Sequence, residues 1–123
     1  MNLKKSPHIH AAVQIAGCLL LLLCLGMSAA CRQPDVVMYE VVGSIPAADI
    51  QVTSPDGTMD KYEDAGLPWR FTYEGFENAQ AYVYAHNNTD EGSITVNIYV
   101  NGQLVRTATS TGPYVTAVTY WDR

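Results

Sequence analysis

Two hydrophobic patterns divide this chain. From Ala11 to Ala30 it is almost wholly apolar, with Gln14 as the one strongly polar interruption and an unbroken leucine run from Leu19 to Leu23. A helix buried in a globular core would keep a polar face, and this stretch has none. Beyond Cys31 the pattern becomes short alternating runs rich in Val, Ile, Thr and Tyr, punctuated by Gly, Pro, Asn and Asp, which is the composition of strands and turns. No stretch there shows helical periodicity.

The runs predict individual strands. Val36–Val42 is a first strand stopped by Gly43, and Ala48–Thr53 alternates so that one face is buried. Ser54-Pro55-Asp56-Gly57 reads as a turn, because Pro presets its own φ and Gly tolerates positive φ. A weaker strand is expected from Thr58 to Tyr62, and Trp69–Tyr73 places Trp69, Phe71 and Tyr73 on one side. Gln80–His86 is a strand whose buried face the pattern leaves ambiguous. Asn87–Gly92 reads as a polar loop. Ser93–Val100 is the clearest element, with Ile94, Val96, Ile98 and Val100 on one face, and Asn101-Gly102 after it is the strongest short hairpin signal. The returning strand is Gln103–Thr109, and a last one runs from about Tyr114 to Tyr120. Seven to eight short strands at this spacing predict an all-β fold, a small antiparallel β-sandwich of immunoglobulin-like type. The expected organisation is a signal or anchor segment over residues 1–30, a short linker over 31–35 and the sandwich over 36–123.

The N-terminal stretch is an export signal by its order of parts. Lys4 and Lys5 form a basic n-region, the apolar run follows, and the small residues Ser28-Ala29-Ala30 come directly before Cys31. Three fates are open. Small residues before a cysteine resemble a bacterial lipobox, which makes Cys31 a candidate lipidation site, although Ser28 stands where leucine is usual. Ile15-Ala16-Gly17-Cys18 matches the letters better but precedes the leucine run. A signal peptidase cutting after Ala30 would release the domain. Left uncut, Ala11–Ala30 is about twenty residues, enough to span a bilayer as one helix, with Lys4 and Lys5 inside and the domain outside. Each tethered fate places the domain in the cell envelope beyond the cytoplasm, periplasmic or at the surface.

Roughly ninety residues remain beyond Cys31, one modest domain, burying about 60–65% of its unfolded surface. Cys18 and Cys24 lie in the apolar segment and Cys31 has no cysteine partner beyond it, so no disulfide supports this domain. It carries twelve acidic residues against Arg32, Lys61, Arg70, Arg106 and Arg123, a net charge of −7 that argues against nucleic acid and against docking on anionic lipid.

Tyr39-Glu40-Val41-Val42-Gly43, Ala48-Asp49-Ile50 before Pro55-Asp56-Gly57, Leu67-Pro68-Trp69, Gly92-Ser93-Ile94-Thr95-Val96, Tyr99-Val100-Asn101-Gly102 and Ser110-Thr111-Gly112-Pro113-Tyr114 occur in that order. The series, covering roughly Val36 to Val118, resembles the MmpS family of small membrane-anchored proteins best known from mycobacteria. The resemblance implies a periplasm-facing β-sandwich that assists large inner-membrane transporters of the resistance-nodulation-division class, which in mycobacteria export lipids and siderophores. The sequence departs from the family in two places. Mycobacterial members often carry a cysteine pair in the last strands, where this chain has Val96 and Thr119. They also tend to keep an uncut helix, whereas Cys31 suggests lipidation.

Candidate chemistry is sparse. His86 is the one histidine beyond Cys31 and reads as a hydrogen-bonded residue at a strand end rather than a base. Asp56, Asp60, Glu63 and Asp64 read as an acidic patch whose spacing matches no EF-hand. No phosphate loop or nucleophile elbow occurs, so no catalytic residue, cofactor or metal is expected. Tyr82 and Tyr84 share a strand face, Tyr99 is expected to point outward, and Tyr120-Trp121 closes the chain. These tyrosines are candidate partner-binding residues, able to stack on sugars or anchor a protein, or simply cross-strand pairs that stabilise a sheet. Two functions follow: an accessory component of an exporter, or a surface lipoprotein that binds carbohydrate or another protein.

Overall fold

A computed structural model describes residues 33–123. The apolar segment, Cys18, Cys24 and the lipidation candidate Cys31 lie outside the described residues. Eight strands follow in chain order: β1 Asp35–Gly43, β2 Ala47–Thr53, β3 Met59–Gly66, β4 Trp69–Phe76, β5 Gln80–His86, β6 Ser93–Val100, β7 Gln103–Thr111 and β8 Thr116–Asp122. They form two antiparallel four-stranded sheets, β4-β1-β6-β7 (sheet 1) and β3-β2-β5-β8 (sheet 2). Among the described residues no helix is long and apolar enough to cross a membrane.

Alternation fills the gap between the sheets. Val37, Tyr39 and Val41 of β1, Ile50 and Val52 of β2, and Ile94, Val96 and Ile98 of β6 are all fully or almost fully buried. Each such side chain contributes about 1.5–3 kcal/mol through burial. The ambiguous strand β5 resolves by volume rather than polarity. Ala81, Val83 and Ala85 point inward, and Tyr82 and Tyr84 point outward. The reason lies across the gap, where Tyr39 spans from sheet 1 to donate its hydroxyl to the Thr53 carbonyl on β2 at 2.8 Å. Small residues on β5 leave room for that ring.

The boundaries of three strands differ most from the sequence expectation. β3 continues to Gly66, beyond Tyr62, because it pairs along β2 past an irregularity between Ala48 and Ile50. β4 continues to Phe76, whose ring is fully buried. β8 begins at Thr116 and includes Trp121, which packs on the core, whereas Tyr114 sits in the preceding turn with φ 53°. Val96 and Thr119 lie on β6 and β8, which pack against each other across the sandwich.

Asn101 and Gly102 both take positive φ, as the hairpin signal requires. Asn101 also extends β1: its N–H donates to Val36 O at 2.8 Å, its Oδ1 accepts from Val36 N at 3.0 Å, and its Nδ2 donates to Asp35 Oδ1 at 2.9 Å. Arg123 closes the same end, pairing with Asp35 at 2.8 Å, with its side chain and that of Asp35 only 11% and 14% exposed. This end, where β1 begins, is the near pole.

Candidate functional site

The outer face of sheet 2 displays three tyrosines, Tyr82, Tyr84 and Tyr120. Cross-strand register sets Lys61, Gln51, Tyr84 and Val118 in one row, and Tyr82 beside Tyr120 in the next. Tyr120 is 52% exposed, Val118 41% and Met59 40%, while Tyr82 and Tyr84 are half-buried. Tyr84 opposite Val118 is an aromatic–β-branched pair that also supports the sheet. The face offers ring surface for stacking.

Tyr99 lies on the outer face of sheet 1, on the other side of the sandwich from Tyr82 and Tyr84. The three candidate tyrosines therefore do not form one site. Tyr99 belongs to a polar network centred on Glu40, in the middle of β1. Arg70 Nε donates to Glu40 Oε2 at 2.6 Å, Asn97 Nδ2 to Oε1 at 2.9 Å, and the Tyr99 hydroxyl to Oε1 at 3.4 Å. Register makes this possible, because Arg70 and Asn97 are the direct partners of Glu40 on β4 and β6. Burial alone would raise the Glu40 carboxyl; hydrogen bonds from Asn97 and Arg70, the Arg70 charge and Tyr99 outweigh it and hold the group below its ordinary value. Sequence reading missed this network. Its one signal was a lone acid inside the apolar run Val36–Val42.

A second aromatic group joins the two sheets along the β3/β4 side. Tyr62 of β3 contacts Trp69 and Phe71 of β4 at centroid distances of 5.1 and 6.0 Å, and Phe71 contacts Tyr73 at 4.7 Å. The Tyr73 hydroxyl donates to Asp60 across the gap. Burial, then the Asp60 carboxylate, pushes the Tyr73 phenol far above its ordinary value. The expected acidic patch is thereby dispersed along β3. Asp56 sits in the near-pole turn, Asp60 faces Tyr73, and Glu63 and Asp64 stand at the strand's other end. Asp56 is drawn down to about 2 by hydrogen bonds from Ser54 and Thr58. The turn that it organises passes Asn78 at Gly57, φ 89°, where a side chain would strain the backbone.

The far pole is held by Asn87, fully buried in the β5–β6 loop. Its Nδ2 donates to Glu91 O at 2.9 Å and Gly112 O at 3.3 Å, and its Oδ1 accepts from Thr89 N at 2.8 Å and Thr89 Oγ1 at 2.6 Å. Beside it a cleft of about 600 Å³ opens between Ser44–Pro46 and Thr89–Gly92, with Asp90 and Glu91 on its rim. The Thr89 hydroxyl is already engaged, its one hydrogen shared between Asn87 Oδ1 and Glu91 O, the latter at 2.7 Å.

His86 stands in a row with Asp49 and Thr116, and its Nδ1 lies 3.0 Å from the Thr116 hydroxyl. Asp49 does not orient the imidazole as a catalytic carboxylate would. It accepts the Asp64 N–H at 2.9 Å and an Asn88 side-chain bond, which with the His86 charge lower its carboxyl. The row bridges three strands structurally. Among the described residues no group of three or more His, Cys, Asp or Glu is placed to hold a metal ion.

Surfaces for contact, and polar clusters built around single acids such as Glu40, Asp49 and Asp56, are thus what the fold offers. A family model described as Mycobacterium membrane protein matches residues 26–121. The chain belongs to this family of MmpS-like membrane proteins. The match runs from the end of the apolar segment into β8 and associates the MmpS-like chain with a membrane. A search of curated proteins finds no match.

Proposed function

We propose that this protein is a non-enzymatic accessory component of a large inner-membrane exporter of the resistance-nodulation-division type. Its N-terminal segment holds it in the cell envelope, through a lipid on Cys31 or as an uncut helix, with the β-domain outside the cytoplasm. The family match over residues 26–121 carries this reading. The exposed chemistry supports it: Tyr82 and Tyr84 give the outer face of sheet 2 the rigid amphipathic rings that anchor protein contacts. The test is affinity purification of the full chain from native membranes with mass spectrometry of what accompanies it. An exporter of this class is the expected companion, depleted by Tyr82→Ala with Tyr84→Ala. Recovery without such an exporter sinks the proposal.

The second reading is a surface lipoprotein that stacks sugars on the same face, favoured by the adjacency of Tyr82, Tyr84 and Tyr120. A glycan array decides it, with binding lost in Tyr84→Ala; a blank array rejects it.

A further inference from the structure

Sandwich proteins must guard their edge strands, because an unpaired row of N–H and C=O groups is a template for another strand. Three of the four edges here are guarded. β3 carries Asp60, Lys61, Glu63 and Asp64 and has an irregular register; β4 carries Arg70 and Glu74 and meets β1 through an irregularity between Asp35 and Val37; β7 is broken opposite Ile98 and Tyr99 and carries Arg106. β8 has none of these devices. It pairs with β5 in unbroken register from Thr116 to Asp122, and Asp122 is its one charged residue.

The direction of its backbone groups follows from the bonds at its two ends. Val115 O accepts Asn87 N–H at 2.9 Å, and Arg123 N–H donates to Ala79 O at 2.8 Å. Odd-numbered positions therefore face β5, and by alternation Thr116, Val118, Tyr120 and Asp122 turn their N–H and C=O towards the open edge. At one end Thr116 O accepts the Ser110 hydroxyl of β7 at 2.7 Å. The exposed side chains of Val118 and Tyr120 mark the rest.

We propose that β8 is a self-association edge: two copies of this chain pair antiparallel through β8, joining their second sheets into one. The occupant is a second copy because β8 is complementary to itself in one register. With Thr119 on the two-fold axis, Val118 bonds the partner's Tyr120, and Thr116, whose carbonyl already accepts Ser110, stands opposite the partner's Asp122. On the outer face this sets Val beside Tyr, a favourable cross-strand pair. On the inner face it sets Ala117 beside the partner's Trp121, small against large. Each Asp122 falls opposite a threonine, so no like charges meet although the domain is strongly acidic. An edge this short binds weakly in free solution, and membrane attachment supplies the high local concentration that weak pairing needs. The inference does not depend on the exporter reading.

The test uses the full chain in membranes. Val118→Cys and Tyr120→Cys chains, tagged to differ in size, are co-expressed and oxidised with copper phenanthroline beside the parent chain. The parent's own cysteines, Cys18, Cys24 and Cys31, all precede the sandwich. In the proposed register Val118 and the partner's Tyr120 are a hydrogen-bonded pair with Cα atoms about 5.5 Å apart, inside the disulfide range. Same-residue pairs are two positions out of register. The expected result is a mixed dimer several-fold above either same-residue dimer and above the parent background. A Val118→Lys change on the exposed face, with folding verified by circular dichroism, removes co-purification of two differently tagged chains. No mixed dimer, a predominance of same-residue dimers, or undiminished co-purification in the lysine variant overturns the proposal.

Discussion

The ring and the hydroxyl of Tyr39 both hold the two sheets together, and Tyr39→Phe separates these contributions. The ring is fully buried and packs edge-to-face on Tyr73 at 6.0 Å and 77°, contacts that phenylalanine keeps. What is lost is the 2.8 Å bond to Thr53 O, leaving a buried carbonyl short of a partner. That loss costs about 1–2 kcal/mol, whereas Tyr39→Ala, which also opens a cavity, costs about 3–5 kcal/mol. Urea unfolding of the full chain in detergent, followed by fluorescence of Trp69 and Trp121, reads both. At a slope near 1 kcal/mol/M, the phenylalanine variant unfolds about 1–2 M earlier. The pH dependence sharpens the test. Burial raises the Tyr39 phenol well above its ordinary value of 10.0, so in the folded chain it keeps its proton where the unfolded chain loses it. Its stabilising contribution is complete below pH 10 and declines above it. The gap between parent and Tyr39→Phe therefore narrows as pH rises past 10. A phenylalanine variant as stable as the parent at pH 7, or a gap that widens in alkali, refutes the reasoning.

Other expectations follow from the polar clusters. Glu40 is held below its ordinary carboxyl value, so its contribution is present above about pH 4.5 and is lost as pH falls further; acid titration of stability is shallower in Glu40→Gln. Arg70 is 64% exposed on its side chain, so Arg70→Ala costs only about 1 kcal/mol by chemical denaturation. Arg123→Ala removes one partner of a mostly buried pair, costing about 2 kcal/mol, seen as a drop of about 8–16 °C in Tm at the size scaling of small domains. Asn87→Ala leaves the far-pole carbonyls of Glu91 and Gly112 short of a donor, and amide exchange speeds up around Thr89 and Tyr114 before it does in β1. Attachment through Cys31 predicts an intact mass that begins at Cys31 and carries acyl chains; a full-length mass makes the uncut helix the anchor.

The fold was legible where polarity and geometry coincide. β6 alternates without exception, and Asn101-Gly102 dictates its own φ values, so strand, face and turn were all readable. β5 was not, because both of its faces are apolar and the choice between them depends on the volume of Tyr39 arriving from another sheet. The acids of β3 looked like one patch because they are close in sequence, yet a strand rises about 3.3 Å per residue and turns neighbours to opposite faces. The Glu40 cluster shows the reverse. Its members stand 30 and 57 positions apart and meet only through strand register. The tyrosines on sheet 2 were visible as a pair on one strand, while their neighbours Val118 and Tyr120 join them only once β5 and β8 are paired.

The place of β1 has a mechanical consequence. The chain reaches the sandwich through Asp35, and β1 is an inner strand, bonded to β4 on one side and β6 on the other. A pull on the start of β1 along the strand, resisted at the far pole, loads both ladders in shear at once. An outer strand pulled from its end would peel away bond by bond. Asn101 and Arg123 add their grip on Val36 and Asp35 at the point where the force arrives. The sandwich thus resists unravelling from the N-terminal end of β1, its lifetime under load there set by the unfolding rate.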